Sequence, residues 1–190
     1  MTGADKPTAD AEVRVGWAAD AAPIAAIQIA SWRRTYAGVF PQWLLESLEE
    51  SEFTERWQHS IVRPPDARNR VMVALDHGTV VAFATTGPAD DPDSDPGKDG
   101  AIAEFHVDPD RTRQGHGSRL LNACVDTLRA DGFHLAQLWV IASDDTMRTF
   151  VTDAGWEPDG AHRELDLTGD GSIRVKQVRL HCSLAEDEVQ

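Results

Sequence analysis

The segment from Val107 to Leu121 places two glycines between the end of a predicted strand and the start of a predicted amphipathic helix. Gly115 and Gly117 lack a Cβ, so the backbone there can approach a ligand closely or adopt a positive φ. The free N–H groups of a helix's first turn carry about half a positive charge and bind phosphate groups. Arg111 and Arg113 add cationic side chains beside the loop. The segment therefore predicts a site for a phosphate-bearing cofactor.

Spacing excludes two other phosphate-binding loops. A P-loop requires a Lys directly after its second glycine, and no Lys lies near Gly115 or Gly117. The dinucleotide-binding fingerprint requires a third glycine where this chain has Leu120. A nucleotide hydrolase and an NAD enzyme are therefore not expected. The remaining alternative is that the glycines only turn the chain between a strand and a helix, and the flanking residues argue against it.

These flanking residues resemble the central signature of the GCN5-related N-acetyltransferases (GNAT), Arg/Gln-x-x-Gly-x-Gly/Ala after a strand that ends in Val-x-Pro. The matching segments are Val107-Asp108-Pro109, Gly115-His116-Gly117 and the pattern from Leu135 to Trp156. Thr112 departs from the signature, because the family has Arg or Gln there. That position is expected to act mainly through its backbone N–H, so the departure is mild.

The resemblance implies that acetyl-CoA is the co-substrate and indicates which residues bind it. In this family the loop backbone binds the pyrophosphate, and the end of the preceding strand pairs with the pantetheine arm. The implied contacts are Phe105, Val107, Thr112, Arg113, Gln114, Gly115, His116, Gly117, Ser118, Asp144 and Phe150. No metal is expected, because Cys–His metal spacing is absent and the seven His residues are scattered singly.

Two ionisable residues precede the loop on the same predicted strand. An amine with a pKa of about 10.4 must lose a proton before it can attack a thioester, so a base is needed. Strand alternation predicts that Ile102, Glu104 and His106 share one face. Polar residues in a buried strand require a cleft or a partner, which makes Glu104 the leading base and His106 the second. Many family members also place a catalytic Glu in the matching strand. The alternative is that Glu104 pairs with a surface cation and His106 with a backbone carbonyl.

The acid that the resemblance implies is missing. Most family members protonate the departing CoA thiolate with a Tyr in the pattern Asn-x-x-x-x-x-Phe-Tyr on the helix after the central strand. Phe150 matches this pattern, whereas Asp144 replaces Asn and Val151 replaces Tyr. The other candidates are Tyr36, which is the single tyrosine, Ser143, Thr152 and water. A thiol with a pKa near 8.5 is also a tolerable leaving group without an acid.

Composition limits the classes of partner. The 190 residues fit one domain, 41% are hydrophobic, and no apolar run approaches the length that spans a bilayer. The net charge of -14 opposes nucleic-acid binding and favours a cationic partner such as an amine, although a solvated surface explains most of the excess. Much of the acid lies in residues 90–96 and 186–188, which are predicted to be exposed. The first residues carry no secretory signal, so we expect a cytoplasmic protein without a membrane partner.

The order of predicted elements indicates an α/β fold, a single-domain mixed and mostly antiparallel sheet flanked by helices, as in the GNAT acyl-CoA transferases. Residues 1–11 are expected to be a disordered lead-in, residues 12–184 the N-acetyltransferase domain, and residues 185–190 an acidic tail. Predicted strands are Val13–Trp17, Arg70–Leu75, Val80–Thr85, Ala101–Val107, Leu135–Ala142, Arg163–Leu167 and Ile173–Cys182. Asp20 is predicted to cap a helix that Trp32–Pro41 breaks, and Ser143 or Asp144 a later one.

Together these features predict an acetyl-CoA-dependent N-acetyltransferase. The acceptor is expected to be a primary amine of a small molecule or peptide, which attacks directly in a ternary complex. The alternative is a non-catalytic acyl-CoA-binding protein with a regulatory or sensing role. The missing Tyr favours that alternative and Glu104 opposes it. Family members are often dimers, so the resemblance also allows a homodimer.

Overall fold

The sheet at the centre of the fold has the strand order β1-β2-β3-β4-β5-β7-β6. The computed structural model describes residues 11–38 and 40–185. The strands are β1 (Ala11–Val15), β2 (Arg70–Asp76), β3 (Thr79–Pro88), β4 (Asp99–Val107), β5 (Leu135–Ile141), β6 (Glu157–Asp166) and β7 (Arg174–Ser183). The helices are α1 (Ala21–Thr35), α2 (Gln42–Glu46), α3 (Glu50–Val62), α4 (His116–Ala130) and α5 (Asp145–Asp153). The mixed, mostly antiparallel sheet confirms the predicted fold class, because β4 and β5 are the only pair of described strands that run parallel.

Helices cover both faces of the sheet, and the alternation of β3 shows how the core is divided. Phe83 packs among residues of α1 and α3, and its ring lies 5.0 Å from the ring of Trp57. Ala82 and Ala84 point the other way, into a cluster with residues of α4 and α5. We refer to these two sides as the α1/α3 face and the α4/α5 face. Because both are buried, β3 reads as a nearly continuous apolar run.

Two predictions about α1 require correction. Helix α1 continues to Thr35, so the segment Trp32–Pro41 ends it only from Tyr36 onward. Asp20 precedes α1 without a side-chain cap bond. Its carboxylate instead accepts hydrogen bonds from the Trp17 N–H and from Arg14, both at 2.7 Å. A short 3-10 turn before α1 brings these donors to it.

Strand β6 begins well before the predicted Arg163. The residues from Glu157 to Gly160 have a local composition typical of a turn, yet Glu157 and Pro158 pair with β7. A register shift between Pro158 and His162 accommodates the irregular residues. Strand pairing therefore overrides the local sequence preference.

The acidic loop between β3 and β4, residues 89–98, is not simply an exposed segment as predicted. The Asp91 side chain is 11% exposed and lies against Arg179 and Arg163. Asp93, by contrast, keeps 63% of its side-chain surface exposed while pairing with Arg179. The loop departs from the prediction because part of an acid-rich stretch can leave water where it meets a buried cation, here Arg179.

The predicted lead-in and tail lie almost entirely outside the described residues. Of the lead-in, only Ala11 is described, and it already belongs to β1. Of the tail, only Ala185 is described. Over the described ranges, no helix has the length and apolar character needed to cross a membrane. Cys124 and Cys182 are free thiols. Burial raises the pKa of the Cys124 thiol to about 12, so it is a packed and unreactive core residue.

Candidate active site

A cleft opens where the two parallel strands separate. Strands β4 and β5 are paired only from Asp99–Leu135 to Ile102–Leu138. Beyond that point β4 continues to Val107 and β5 to Ile141 without pairing to each other. The edges that face each other there present backbone N–H and C=O groups to the cleft. An extended ligand can pair with such an edge as an added strand would.

A β-bulge in β4 lies at the apex of this cleft. Thr86 of β3 faces Ile102, but Ala84 faces Phe105, so two residues of β4 oppose the single residue Thr85. The Glu104 N–H, displaced from the regular ladder, donates to the Thr85 hydroxyl at 3.0 Å. The bulge therefore places the backbone of Glu104 at the point where the strands part.

The bulge also changes which side chains share a face. Ile102 lies in the α4/α5 core, and Phe105 and Val107 pack against the same cluster. The prediction that Ile102 shares a face with Glu104 and His106 is wrong, because the extra residue interrupts the alternation. Glu104 and His106 do lie together, on the α1/α3 face.

Glu104 and His106 form a hydrogen-bonded pair. Oε2 of Glu104 lies 2.7 Å from Nε2 of His106, which donates to it in the tautomer that this contact requires. The imidazole ring packs against the ring of Phe83, with 5.1 Å between the ring centroids. The side chains of Glu104 and His106 are 37% and 17% exposed. The pair is thus ordered by its neighbours and still open to a substrate, as a general base requires.

Tyr36 follows α1 and lies on the same face as the pair. Its ring makes edge-on contacts with Trp32 at 6.1 Å and Phe40 at 5.2 Å. Burial, and secondarily the negative charge of Glu104, raises the pKa of Tyr36. Tyr36 is therefore protonated at neutral pH, and Glu104 is near enough for its charge to act on the phenol. Val151, at the position of the family's tyrosine, is instead fully buried in the α4/α5 core.

The glycine loop has the backbone geometry of an anion site. Gly115 has a φ of 83°, which L side chains rarely adopt, and α4 begins at the next residue. Within residues 11–38 and 40–185, no backbone N–H from Thr112 to Ser118 donates to another backbone or side-chain group. Those donors, which include Arg113, Gln114, His116 and Gly117, remain available to a ligand.

Gly117 lies close to the end of β4 and to α5. A Cβ at this position would lie 3.4 Å from Cγ2 of Val107 and 3.5 Å from the ring of Phe150. The ring of Phe150 also lies 5.8 Å from that of Phe105. The loop, the strand end and α5 therefore meet on the α4/α5 side of the cleft. The structure brings together the predicted cofactor contacts Phe105, Val107, Gly117 and Phe150.

Two predicted contacts use their side chains within the protein. His116 is 3% exposed, its Nδ1 accepts a hydrogen bond from Arg119 at 2.9 Å, and burial lowers its pKa. Its side chain is neutral, and only its N–H belongs to the loop's donor set. The Asp144 carboxylate caps α5 by accepting from the Met147 N–H at 2.9 Å. That cap was predicted, with Ser143 as the alternative.

Several residues near the cleft were not predicted. Arg119, one turn into α4, approaches the loop carbonyl of Gln114 at 3.4 Å. Arg34 on α1 donates to the Pro109 carbonyl at 3.3 Å. Trp139 is the first residue of β5 beyond the last pair with β4. Arg119 was detectable from its helical spacing after Gly115, whereas the other two depend on contacts between distant segments.

The arrangement separates two chemical tasks across the sheet. The α4/α5 face carries the anion-binding loop and an apolar wall, and the α1/α3 face carries the Glu104–His106 pair. A phosphate-bearing thioester held by the loop and laid along the cleft would present its acyl carbon near the pair. Among the residues that the structure describes, no group of His, Cys, Asp and Glu is placed to hold a metal ion.

A known protein family has a sequence pattern that matches the part of the chain forming this site. The sequence pattern described as "Acetyltransferase (GNAT) family" covers residues 28–156, from within α1 to the start of β6. The chain belongs to the GNAT family. The GNAT match includes the cleft, the bulge, the glycine loop and the Glu104–His106 pair. The protein is accordingly an N-acetyltransferase of this family.

Individual relatives agree with this assignment. The chain is 32% identical over 163 residues to a Bacillus subtilis (strain 168) protein named "Uncharacterized N-acetyltransferase YuaI", covering 85% of this chain and 86% of that protein. The fold of this chain is similar to that of the PaiA N-acetyltransferase from Thermoplasma acidophilum in complex with coenzyme A. The TM-score is 0.70, the sequence identity is 16%, and the match covers 91% of this chain and 98% of the PaiA chain. The fold is also similar to that of yncA from Salmonella typhimurium with acetyl-CoA, with a TM-score of 0.69, 16% identity and coverage of 96% and 98%.

Proposed function

We propose that this GNAT enzyme transfers the acetyl group of acetyl-CoA to a primary amine of a small molecule or peptide by direct attack in a ternary complex. The observation that carries the proposal is the position of Glu104 and His106 at the apex of the cleft, on the face opposite the glycine loop. A base on one face and an anion site on the other fit a reaction between two bound substrates.

The proposed acetyl-CoA site lies along the loop and the α4/α5 side of the cleft. The free N–H groups from Thr112 to Ser118 would bind the pyrophosphate. Phe105 and Val107 would line the pantetheine arm, with Phe150 beyond them. The two structural neighbours solved with coenzyme A or acetyl-CoA support this choice of co-substrate.

In the proposed mechanism, Glu104 accepts a proton from the acceptor's ammonium group, directly or through a water molecule. The freed nitrogen lone pair attacks the thioester carbonyl carbon and forms the new C–N bond. Collapse of the tetrahedral intermediate breaks the C–S bond and releases the CoA thiolate. His106 holds the Glu104 carboxylate at 2.7 Å and so fixes its direction. A positioned general base contributes about a hundredfold or more to such a step.

We further propose that no side chain protonates the thiolate. Val151 replaces the family's tyrosine and is buried, while Tyr36 lies on the α1/α3 face, where the charge of Glu104 raises its pKa further. Because the thiol pKa is near 8.5, the thiolate leaves without help at neutral pH.

The pH dependence of turnover tests the role of Tyr36. Activity should rise as the amine deprotonates and then level off, without the decline above a pKa of about 10 that an essential tyrosine acid produces. The raised pKa of Tyr36 would move any such decline to still higher pH. Tyr36→Phe should mainly increase the apparent KM of the acceptor. An alkaline loss in the wild type that Tyr36→Phe abolishes would assign the acid role to Tyr36.

The alternative is an acyl-CoA-binding protein without turnover, and the buried Val151 is the observation that favours it. Release of free thiol from acetyl-CoA, measured against polyamines, aminoglycosides, amino acids and peptides, separates the two. The enzyme is expected to release thiol with at least one acceptor and not in its absence. Binding of CoA without release in the whole panel would favour the alternative. A cytoplasmic location, a possible homodimer and the absence of a nucleic-acid partner stay predictions.

A further inference from the structure

The acidic loop, residues 89–98, contacts the β5 side of the cleft on the face where Glu104 lies. The indole Nε1 of Trp139 donates to both oxygens of Asp91, at 2.9 and 3.2 Å. Trp139 directly follows Leu138, the last β5 residue paired with β4. Ser94 of the same loop meets Gln137 at 2.9 Å. The loop thus borders the cleft on the β5 side, across from β4, which carries Glu104.

One buried arginine holds this loop in place. Arg179 lies on β7 opposite Trp139, and its side chain is 7% exposed. Two of its nitrogens meet the two oxygens of Asp93 at 2.7 and 2.6 Å. Its Nε donates to Asp159 of β6 at 2.6 Å, and Asp91 lies 3.6 Å away. The planar guanidinium of Arg179, which suits such two-point contacts, therefore links the loop to both β6 and β7.

Electrostatics around Arg179 favour the anchored position of the loop. The hydrogen bond with Asp93, followed by that with Asp159, raises the pKa of Arg179 despite its burial. A second arginine, Arg163, lies over the Trp139 ring at 4.3 Å and 3.6 Å from Asp91. Removing the Arg179 cation would leave its carboxylates facing one another without their shared partner, so the loop should move toward solvent.

We infer that Arg179 is a positioning residue that holds the acidic loop as a wall of the acceptor site. The inference rests on the proposed function, because it assumes that the amine enters from the face of Glu104. Arg179 acts through Asp91, Asp93 and Trp139 and need not touch the substrate. The glycine loop contacts the opposite face of the cleft, so acetyl-CoA binding should not depend on Arg179.

The test compares Arg179→Met and Asp93→Asn with the control Arg174→Met. Arg174 lies on the same strand, is 59% exposed and pairs only loosely with Glu164 at 3.4 Å. In both test variants the acceptor KM should rise about tenfold, while kcat and the Kd of CoA change by less than about twofold. Hydrogen exchange should become faster in the acidic loop, where the Ser94 N–H bonds to the Asp91 carbonyl at 2.9 Å. The control should match the wild type in every measurement.

Asp93→Asn decides the matter if Arg179→Met does not fold, because Asp93 is 63% exposed and its loss leaves Arg179 with other carboxylates. Unchanged exchange in the loop would show that Arg179 does not hold it. Faster exchange with an unchanged acceptor KM would show that the loop is no acceptor wall. Either result overturns the inference and leaves the proposed function intact. A wild-type protein that binds CoA but acetylates no amine would instead contradict the proposed function.

Discussion

Replacing Glu104 with Gln should lower turnover at neutral pH by about a hundredfold or more, because the general base is lost. The amide keeps the size of the side chain and can still accept the hydrogen bond from His106, which lies 2.7 Å from the carboxylate in the wild type. The fold and the Kd of acetyl-CoA should therefore change little. Steady-state kinetics with the best acceptor, together with calorimetry for CoA, measure both quantities.

A matched control is Glu157→Gln, an exposed residue at the start of β6 outside the cleft. It should leave kcat unchanged. His106→Gln should reduce turnover less than Glu104→Gln, because it removes the group that orients the base and leaves the base itself. If Glu104→Gln kept full activity while His106→Gln lost it, the base would be the histidine.

Gly117→Asp should weaken acetyl-CoA binding by about tenfold or more, which corresponds to about 1.4 kcal/mol. The new carboxylate would lie in the first turn of α4, beside the N–H groups proposed to bind the pyrophosphate. The negative charges of the carboxylate and the pyrophosphate would repel each other. The added Cβ would make only ordinary van der Waals contacts with Val107 at 3.4 Å and the Phe150 ring at 3.5 Å, so the charge accounts for the expected loss. Calorimetric titration with CoA measures the loss.

Thr112→Ala is the comparison variant, since it keeps the backbone N–H that the site is expected to use. Its affinity for CoA should stay within about twofold of the wild type. The contrast between the two variants separates the shape of the loop from the chemistry of its side chains. Equal CoA affinities for the wild type and Gly117→Asp would remove the loop from the site.

The loop and the sheet could be predicted because their signals are local. Gly115 must adopt a positive φ, and it is followed directly by the regular apolar spacing of α4. Strand β5 is apolar because one face, with Ala136, Leu138 and Val140, is buried in the core and the other face is partly covered. Such features depend on residues close in the chain, so their sequence preferences and their structure agree.

The bulge could not be predicted, because it is a relation between two strands. Nothing in the residues around Glu104 indicates that Thr85 alone opposes two residues of β4. Strict alternation therefore put Ile102 on the wrong face. The sequence placed Glu104 and His106 on one face, but the 2.7 Å contact between their side chains depends on rotamers that the sequence does not specify.

The role of the acidic loop was hidden for the same reason. A stretch rich in Asp and Pro is typical of a solvated loop, and Arg179 lies far from it in the chain. Only the sheet order, which places β7 next to β5, brings the arginine to Asp91 and Asp93. Charge compensation between distant segments leaves no periodic signal in the sequence.

Transfer of a labelled acetyl group tests the central claim most directly. Acetyl-CoA labelled in the acetyl group is incubated with the wild type and the best amine of the panel, and mass spectrometry follows both products. We expect one labelled acetyl group on the amine nitrogen for each CoA thiol released, and a much slower reaction with Glu104→Gln. Thiol release without a labelled amine, or CoA binding with no release, would contradict the account.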